Sequence, residues 1–180
     1  MADAEAIHDL LDKMTAERDG LLQLAETLPD DQASSAAEDA RGEAQWSPKQ
    51  QLAHLAEMET AYRAWVERAL AEDDPDVSTT RGEPPTISLT EAHEHSVREL
   101  TAQLRDLRER TLSLIQSMTP EQFDRTASQV MFGRLTVLQW LRSYYRHDRM
   151  HRDQISGREP EYKPRFVGGR EPDQRRGPRI

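Results

Sequence analysis

The sequence predicts an all-α protein, a four-helix bundle, on three observations. Four stretches, each roughly 22 to 30 residues long, repeat apolar side chains at spacings of three and four, which lines one face of a helix. These stretches are separated by segments rich in Pro, Gly, Asp and Ser that start or stop helices. No stretch reads convincingly as a strand, although 129–132 has room to be briefly extended. Four amphipathic helices bury their stripes most simply against one another. At 180 residues the chain can build one domain with a sizeable core. The expected division is a bundle domain over 1–157 and a tail over 158–180.

The first predicted helix runs from about Asp3 to Leu28, carrying Ile7, Leu10, Leu11, Met14, Leu21, Ala25 and Leu28, and Pro29 ends it. Residues 30–45 are rich in Ala, Ser, Asp and Glu with no regular apolar stripe and read as a loop, with at most a short turn. The second helix has the clearest start in the chain. Ser47 is its N-cap, Pro48 takes the first helical position and Gln50 closes a capping box, a device that contributes about 1 kcal/mol. It continues to about Ala71 with Gln51, His54, Leu55, Met58, Tyr62, Trp65 and Ala69 on one face.

Residues 72–87 hold Asp-Asp-Pro-Asp, Arg-Gly-Glu and a Pro-Pro pair, all loop signals. Ser88 and Glu91 form a second capping box, which predicts that the third helix follows directly. Its stripe of Val97, Leu100, Leu104, Leu107, Thr111, Leu114 and Met118 alternates strictly by four and three. Thr119-Pro120-Glu121-Gln122 opens a short turn and Gly133 breaks it. The last helix runs from about Leu135 to Ser156, ended by Gly157 and Pro160.

Composition narrows the function. A formal net charge of −9 argues against a nucleic-acid-binding surface over the body of the protein. The segment 158–180 differs, with seven basic residues against four acidic among four prolines and three glycines. Such a composition is expected of a poorly ordered tail, or of one that orders against a partner subunit. With no cysteine there are no disulfides, no thiolate nucleophiles and no thiolate zinc sites, so any metal must be held by nitrogen and oxygen. The amino terminus does not read as a signal peptide and no segment is apolar for long enough to span a membrane. No membrane or nucleic-acid partner is therefore expected, and the cytoplasm is the expected location.

Six histidines are present. His8 lies off the first stripe and His95 on the outer side of the third helix, so both are expected in solvent. His147 and His151 are four residues apart on the face that carries Val137, Trp140, Leu141 and Tyr144, so both imidazoles point inward one turn apart. His54 is on the inward face of the second helix. Three inward imidazoles on two helices, each costing about 1 to 3 kcal/mol if left without a partner, are a metal-ligand pattern more than a set of core histidines. His93, in phase with Val97, is a further candidate as a ligand or as a group that orients one. Glu57, Asp148 and Gln154 lie near the three histidines in sequence, where each is either an orienting group or base, or simply solvated.

The pattern has a topological consequence. His54 lies about 10 Å into its helix, and His147 and His151 lie about 13 and 8 Å from the end of theirs, at 1.5 Å per residue. They meet only if the second and fourth helices are antiparallel, which a plain up-down-up-down bundle forbids. One connection must cross the bundle, about 35 Å, needing at least about 11 extended residues. The loops after Ala71 and after Met118 are both long enough.

The segments 46–57, Trp-Ser-Pro-Lys-Gln-Gln-Leu-Ala-His-Leu-Ala-Glu, and 136–155, Thr-Val-Leu-Gln-Trp-Leu-Arg-Ser-Tyr-Tyr-Arg-His-Asp-Arg-Met-His-Arg-Asp-Gln-Ile, resemble the DinB-like superfamily. That group includes YfiT-like metal-dependent hydrolases and thiol-dependent transferases. The resemblance spans the chain from the first helix to about Ile155, and its most specific part is one His followed by His-x-x-x-His. It implies an up-down-down-up bundle with the crossover between the second and third helices. It also implies a divalent metal, zinc or nickel, on His54, His147 and His151, and a possible homodimer. The function expected is a metal-dependent hydrolase, or a transferase using a low-molecular-weight thiol, acting on a small-molecule substrate. The alternative is a non-catalytic metal-binding bundle that binds a ligand or protein. Nothing in the sequence marks a catalytic base or a particular thiol.

Overall fold

Each long helix begins on a side-chain cap that its own sequence supplies. The computed structural model describes residues 2–36 and 42–167. Helix α1 (Ala4–Glu26) starts on Asp3, whose carboxylate accepts from the Ala6 N–H at 2.8 Å. After a one-turn helix α2 (Asp30–Ala33) and a 3₁₀ turn over Gly42–Gln45, helix α3 (Pro48–Ala71) opens on the predicted Ser47–Gln50 box. Helix α4 (Val97–Ser117) opens on Ser96 and Glu99, and helix α5 (Val137–Ile155) on Thr136 and Gln139. In all three boxes the cap side chain takes a backbone N–H and the third residue's side chain returns the bond, so two orphan donors are satisfied at once.

Two expectations about elements need correction. The third helix starts at Val97 and not directly after Ser88, because Ser96-Val-Arg-Glu99 is itself a capping box and wins. Ser88 and Glu91 bond to each other as expected, but they close only a turn that leads into a 3₁₀ turn at Ala92–Glu94. The second correction concerns 129–132. An antiparallel hairpin forms there, β1 (Thr126–Gln129) paired with β2 (Gly133–Thr136), and residues 130–132 are its turn. Gly133 has φ +76°, which a residue with a Cβ adopts at a cost, and Gln129 Oε1 caps the turn by accepting from Met131 N–H at 2.6 Å.

The four predicted helices assemble as a ring in which α1 packs on α5 and α4, and α3 packs on α4 and α5. The direction of each follows from cross-helix pairs. Tyr62 and Trp65 of α3 meet Tyr144 and Trp140 of α5, so residue numbers run in opposite senses. Asp30 receives the Val97 N–H at 2.8 Å and the Lys49 ammonium at 3.3 Å, so α3 and α4 start at the same end. Leu10 and Met14 of α1 share one apolar cluster with Val137 and Trp140 at the start of α5, and Leu21 and Leu22 share the other with Ile155 at its end, so α1 and α5 run parallel. The order is up-down-down-up, with the crossover between α3 and α4.

That crossover runs back along α3 and is fastened to it in steps. Trp65 Nε1 donates to the Thr80 carbonyl at 3.1 Å, Gly82 lies against the Thr60 backbone, and the Leu89 N–H reaches Glu57 Oε1 at 2.9 Å. The hairpin holds its start, with Val77 N–H on the Ser128 carbonyl at 2.8 Å.

The interior falls into two apolar clusters. One, around Met14, Met58, Trp65, Ile115, Trp140 and Tyr144, lies at the hairpin end. The other, around Leu21, Leu52, Leu55, Leu100 and Leu104, lies at the opposite end. Between them sits a buried quartet with one residue from each long helix: Arg18, Glu59, Arg108 and Asp148. Arg18 bonds Glu59 at 2.7 Å and Asp148 at 2.9 Å, and Arg108 bonds both carboxylates at 2.9 Å. Thr111 and the carbonyls of Leu104 and Met14 take up further bonding capacity. Two positive and two negative charges cancel, which lets the group exist without water. No helix among the described residues is long and apolar enough to cross a membrane.

Candidate metal centre

The 3₁₀ turn Gly42–Gln45 sets Glu43 beside the start of α3 and against α5. Trp46 follows it and packs its ring on the His54 imidazole, 4.6 Å between centroids. The capped start of α3 then places Gln51 and His54 on the inward face, toward His147 and His151 of α5. Glu43, His54, His147 and His151 are all buried, and their donor atoms lie within 4.8 Å of one another. Among the described residues this is the one group of at least three potential ligands so placed.

The separations have the scale of a coordination shell. His151 Nε2 is 3.0 Å from His147 Nε2 and 3.3 Å from Glu43 Oε2. His147 Nε2 is 3.4 Å from Glu43 Oε2, and His54 Nε2 is 3.3 Å from Glu43 Oε1. Bonds of about 2.0 to 2.1 Å to a common ion put neighbouring donors roughly 3.0 to 3.4 Å apart. His54 Nε2 is buried with no hydrogen bond, which a cation taking its lone pair would resolve. On these observations the residues present fit a divalent ion.

One ring is oriented by a residue outside the donor set. Gln51 Nε2 donates to the Trp46 carbonyl at 3.0 Å, which leaves its Oε1 to accept from His151 Nδ1 at 2.9 Å. The proton is thereby fixed on Nδ1 and the Nε2 lone pair faces the group. Protonation states agree. Burial lowers the His151 pKa to about 4, against the pull of Glu43 and with the help of neighbouring His147, so the ring is neutral near pH 7. Burial works to raise the Glu43 pKa but is outweighed by the three histidines, which hold its carboxyl well below the usual range.

The group opens on one side. Glu43, His54 and His147 line a cavity of about 630 Å³ with a mixed wall, apolar at Met58, Phe132 and Trp140 and polar at Tyr62, Gln139 and Ser143, while His151 lies behind them. Burial, and secondarily the nearby Glu43 charge, raises the Tyr62 pKa, so this phenol stays a proton donor. Residues from the proposed tail reach this cavity. Phe166 stacks near Phe132 at 5.2 Å, Tyr162 lies over Arg146, and the Val167 N–H bonds the Met131 carbonyl at 2.8 Å. The remainder of the tail reading, 168–180, lies outside the described residues.

Of the candidates from sequence, the structure brings His54, His147 and His151 together and leaves His93 apart, exposed on its 3₁₀ turn. Glu57 is committed to the Leu89 N–H, and Asp148 belongs to the buried quartet and not to solvent. Gln154 keeps a buried Oε1 without a hydrogen bond. His8 is exposed beside Asp12, and His95, half-buried, sits beside Glu99. Glu43 is the member that sequence reasoning missed. It lies in the acidic segment before Trp46, where nothing distinguishes it from its neighbours.

Comparison with known proteins agrees with this picture. A sequence model of the DinB superfamily matches residues 13–155. A solved structure similar to this one is that of YfiT from Bacillus subtilis, described as a probable metal-dependent hydrolase with an unusual four-helix bundle topology. The two share 19% identity over 87% of each chain with a TM-score of 0.69, a likeness of fold. A search of curated proteins finds no significant match.

Proposed function

The chain belongs to the DinB superfamily, and from that premise and the donor set at the cavity floor we propose a divalent-metal enzyme. It acts as a hydrolase, or as a transferase that moves a low-molecular-weight thiol onto a small electrophile. The observation that carries this reading is the placement of Glu43, His54 and His147 on the wall of a ligand-sized cavity. His54, His147 and His151 hold the ion and Glu43 adds an oxygen donor. Imidazole with one carboxylate suits zinc or nickel. A bound divalent ion supplies Lewis acidity and lowers the pKa of a water or thiol. The chain's own residues do the rest: Gln51 fixes His151, Trp140 and Phe132 offer apolar surface to a substrate, and the Tyr62 phenol offers a proton toward the cavity.

One observation favours a second reading. Four protein donors is the number of a closed structural site, so a non-catalytic bundle with a binding role is the competing proposal. Cobalt substitution separates the two. Adding a small thiol such as 2-mercaptoethanol to the cobalt-loaded protein is expected to produce a sulfur-to-metal charge-transfer band. An unchanged spectrum with thiols and with azide would sink the enzyme reading. The metal assignment is tested by elemental analysis of the protein carrying His147→Ala and His151→Ala, and undiminished metal would overturn it.

A further inference from the structure

The mouth of the cavity carries a charge opposite to that of the protein. Arg146, Lys163 and Arg165 line it, on a chain whose formal net charge is −9. Glu161, also at the mouth, is engaged by Arg149, and Lys163 by Glu159, so those charges are internally balanced. Arg146 and Arg165 have no carboxylate in ion-pair contact among the described residues. Arg146 is also pre-set: its guanidinium lies 5.8 Å from the Tyr145 ring centroid and 5.7 Å from that of Tyr162. Stacking of this kind fixes the plane of the guanidinium while leaving its N–H edge available. Apolar side chains, Phe132, Phe166 and Trp140, form one part of the wall, with Gln139 and Ser143 also lining it.

An amphiphilic cavity with one fixed guanidinium at its entrance selects for one kind of molecule. We propose that it takes a small organic oxyanion, a carboxylate or phosphate monoester, with its apolar body on Trp140 and Phe132 and its anionic head on Arg146 and Arg165. The inference rests on reading the cavity as the substrate site, and it names the substrate class. The segment carrying Tyr162 and Arg165 is then part of the binding site, and selectivity for charge is set at the mouth, remote from the metal. Oxyanions bound this way gain charge-assisted hydrogen bonds that a neutral isostere lacks.

The test measures binding to the full chain, metal-free and zinc-loaded, by calorimetry and Trp fluorescence. The probes are hexanoate, monohexyl phosphate, hexan-1-ol and hexylamine. At least one anion is expected to bind ten-fold or more tightly than hexan-1-ol, an order-of-magnitude advantage for a charge-assisted contact. The preferred anion identifies the head as carboxylate or phosphate. Arg146→Gln and Arg165→Gln, both at exposed positions, are each expected to cost several-fold with melting temperature and zinc content unchanged. Equal binding of hexan-1-ol, tighter binding of hexylamine, or anion binding indifferent to both substitutions would overturn the proposal. Anion binding that requires zinc and ignores both arginines places the head on the metal, which defeats this proposal and leaves the metal reading intact. Arginine-dependent anion binding in a protein that never takes zinc does the reverse.

Discussion

Gln51 holds His151 by its Nδ1 proton at 2.9 Å, and is itself held by the Trp46 carbonyl at 3.0 Å, so the ring faces the donor group before any ion arrives. Partners of this kind are worth about 10- to 100-fold in metal affinity. Gln51→Leu is therefore expected to weaken zinc binding by about that factor, measured by chelator competition, while helical content is unchanged. An affinity equal to the parent's would show that the His151 ring is oriented by packing alone.

Glu43 is predicted to be the least essential of the four donors. Three imidazoles suffice to hold a divalent ion, so Glu43→Ala retains stoichiometric zinc with weakened affinity, whereas His151→Ala does not. In the cobalt-loaded Glu43→Ala protein, azide is expected to perturb the visible spectrum at lower concentration than in the parent. Zinc lost as completely as in the histidine variants would make Glu43 indispensable instead.

The quartet predicts a large stability loss from a small change. Asp148→Asn or Glu59→Gln leaves two buried arginines facing a single carboxylate, and breaking a buried pair in this way costs about 3 to 5 kcal/mol. Urea unfolding midpoints measure it. Replacing an exposed partner such as Glu72 of the Arg68 pair is expected to have little effect.

Acid sensitivity follows from the same group. Burial works to raise the Glu59 pKa, but Arg108 and Arg18 together bring it down to about 2 from an ordinary 4.5. The unfolded carboxyl then binds protons more readily than the native one, so acid favours unfolding. The contribution, about 3 kcal/mol for a shift of this size, is complete above about pH 4.5 and is lost as pH falls toward 2. Unfolding free energy measured across this window is expected to fall less steeply in Glu59→Gln than in the parent.

Gly82 is a close approach of the crossover to the α3 backbone. A Cβ there would lie 2.4 Å from the Thr60 carbonyl carbon and oxygen, backbone atoms that do not swing aside. Gly82→Ala is expected to destabilise by about 1 to 3 kcal/mol, as overpacking does, with metal content unchanged. A melting temperature equal to the parent's would show that the crossover yields.

The helices were legible because their stripes are regular and their starts carry capping boxes. The histidine face was legible because spacing alone aligns His147 with His151. The quartet was equally present in the pattern, since Arg18 follows Met14 by four, Arg108 follows Leu104 by four and Asp148 follows Tyr144 by four. Charges on a stripe tend to be read as solvated, and only the coincidence of one on each helix reveals that they neutralise one another. Glu43 had no such periodicity. A residue on a one-turn 3₁₀ segment is placed by the chain around it, here Trp46 and the Ser47 cap, and local spacing cannot announce that.

The up-down-down-up order also decides when the bundle can close during synthesis. Helix α1 packs most broadly on α5, the last of the four long helices described, and its other long-helix neighbour is α4 rather than α3, the next long helix in the chain. Of the four long helices, the first apolar face made is thus the last to be fully covered, and no early two-helix hairpin shields it. Long-range pairing of this kind slows folding and prolongs exposure of apolar surface. A nascent chain halted before Val137 would present Leu10, Met14 and Leu21 to whatever is nearby, which makes α1 the segment through which a chaperone or an aggregate would first take hold.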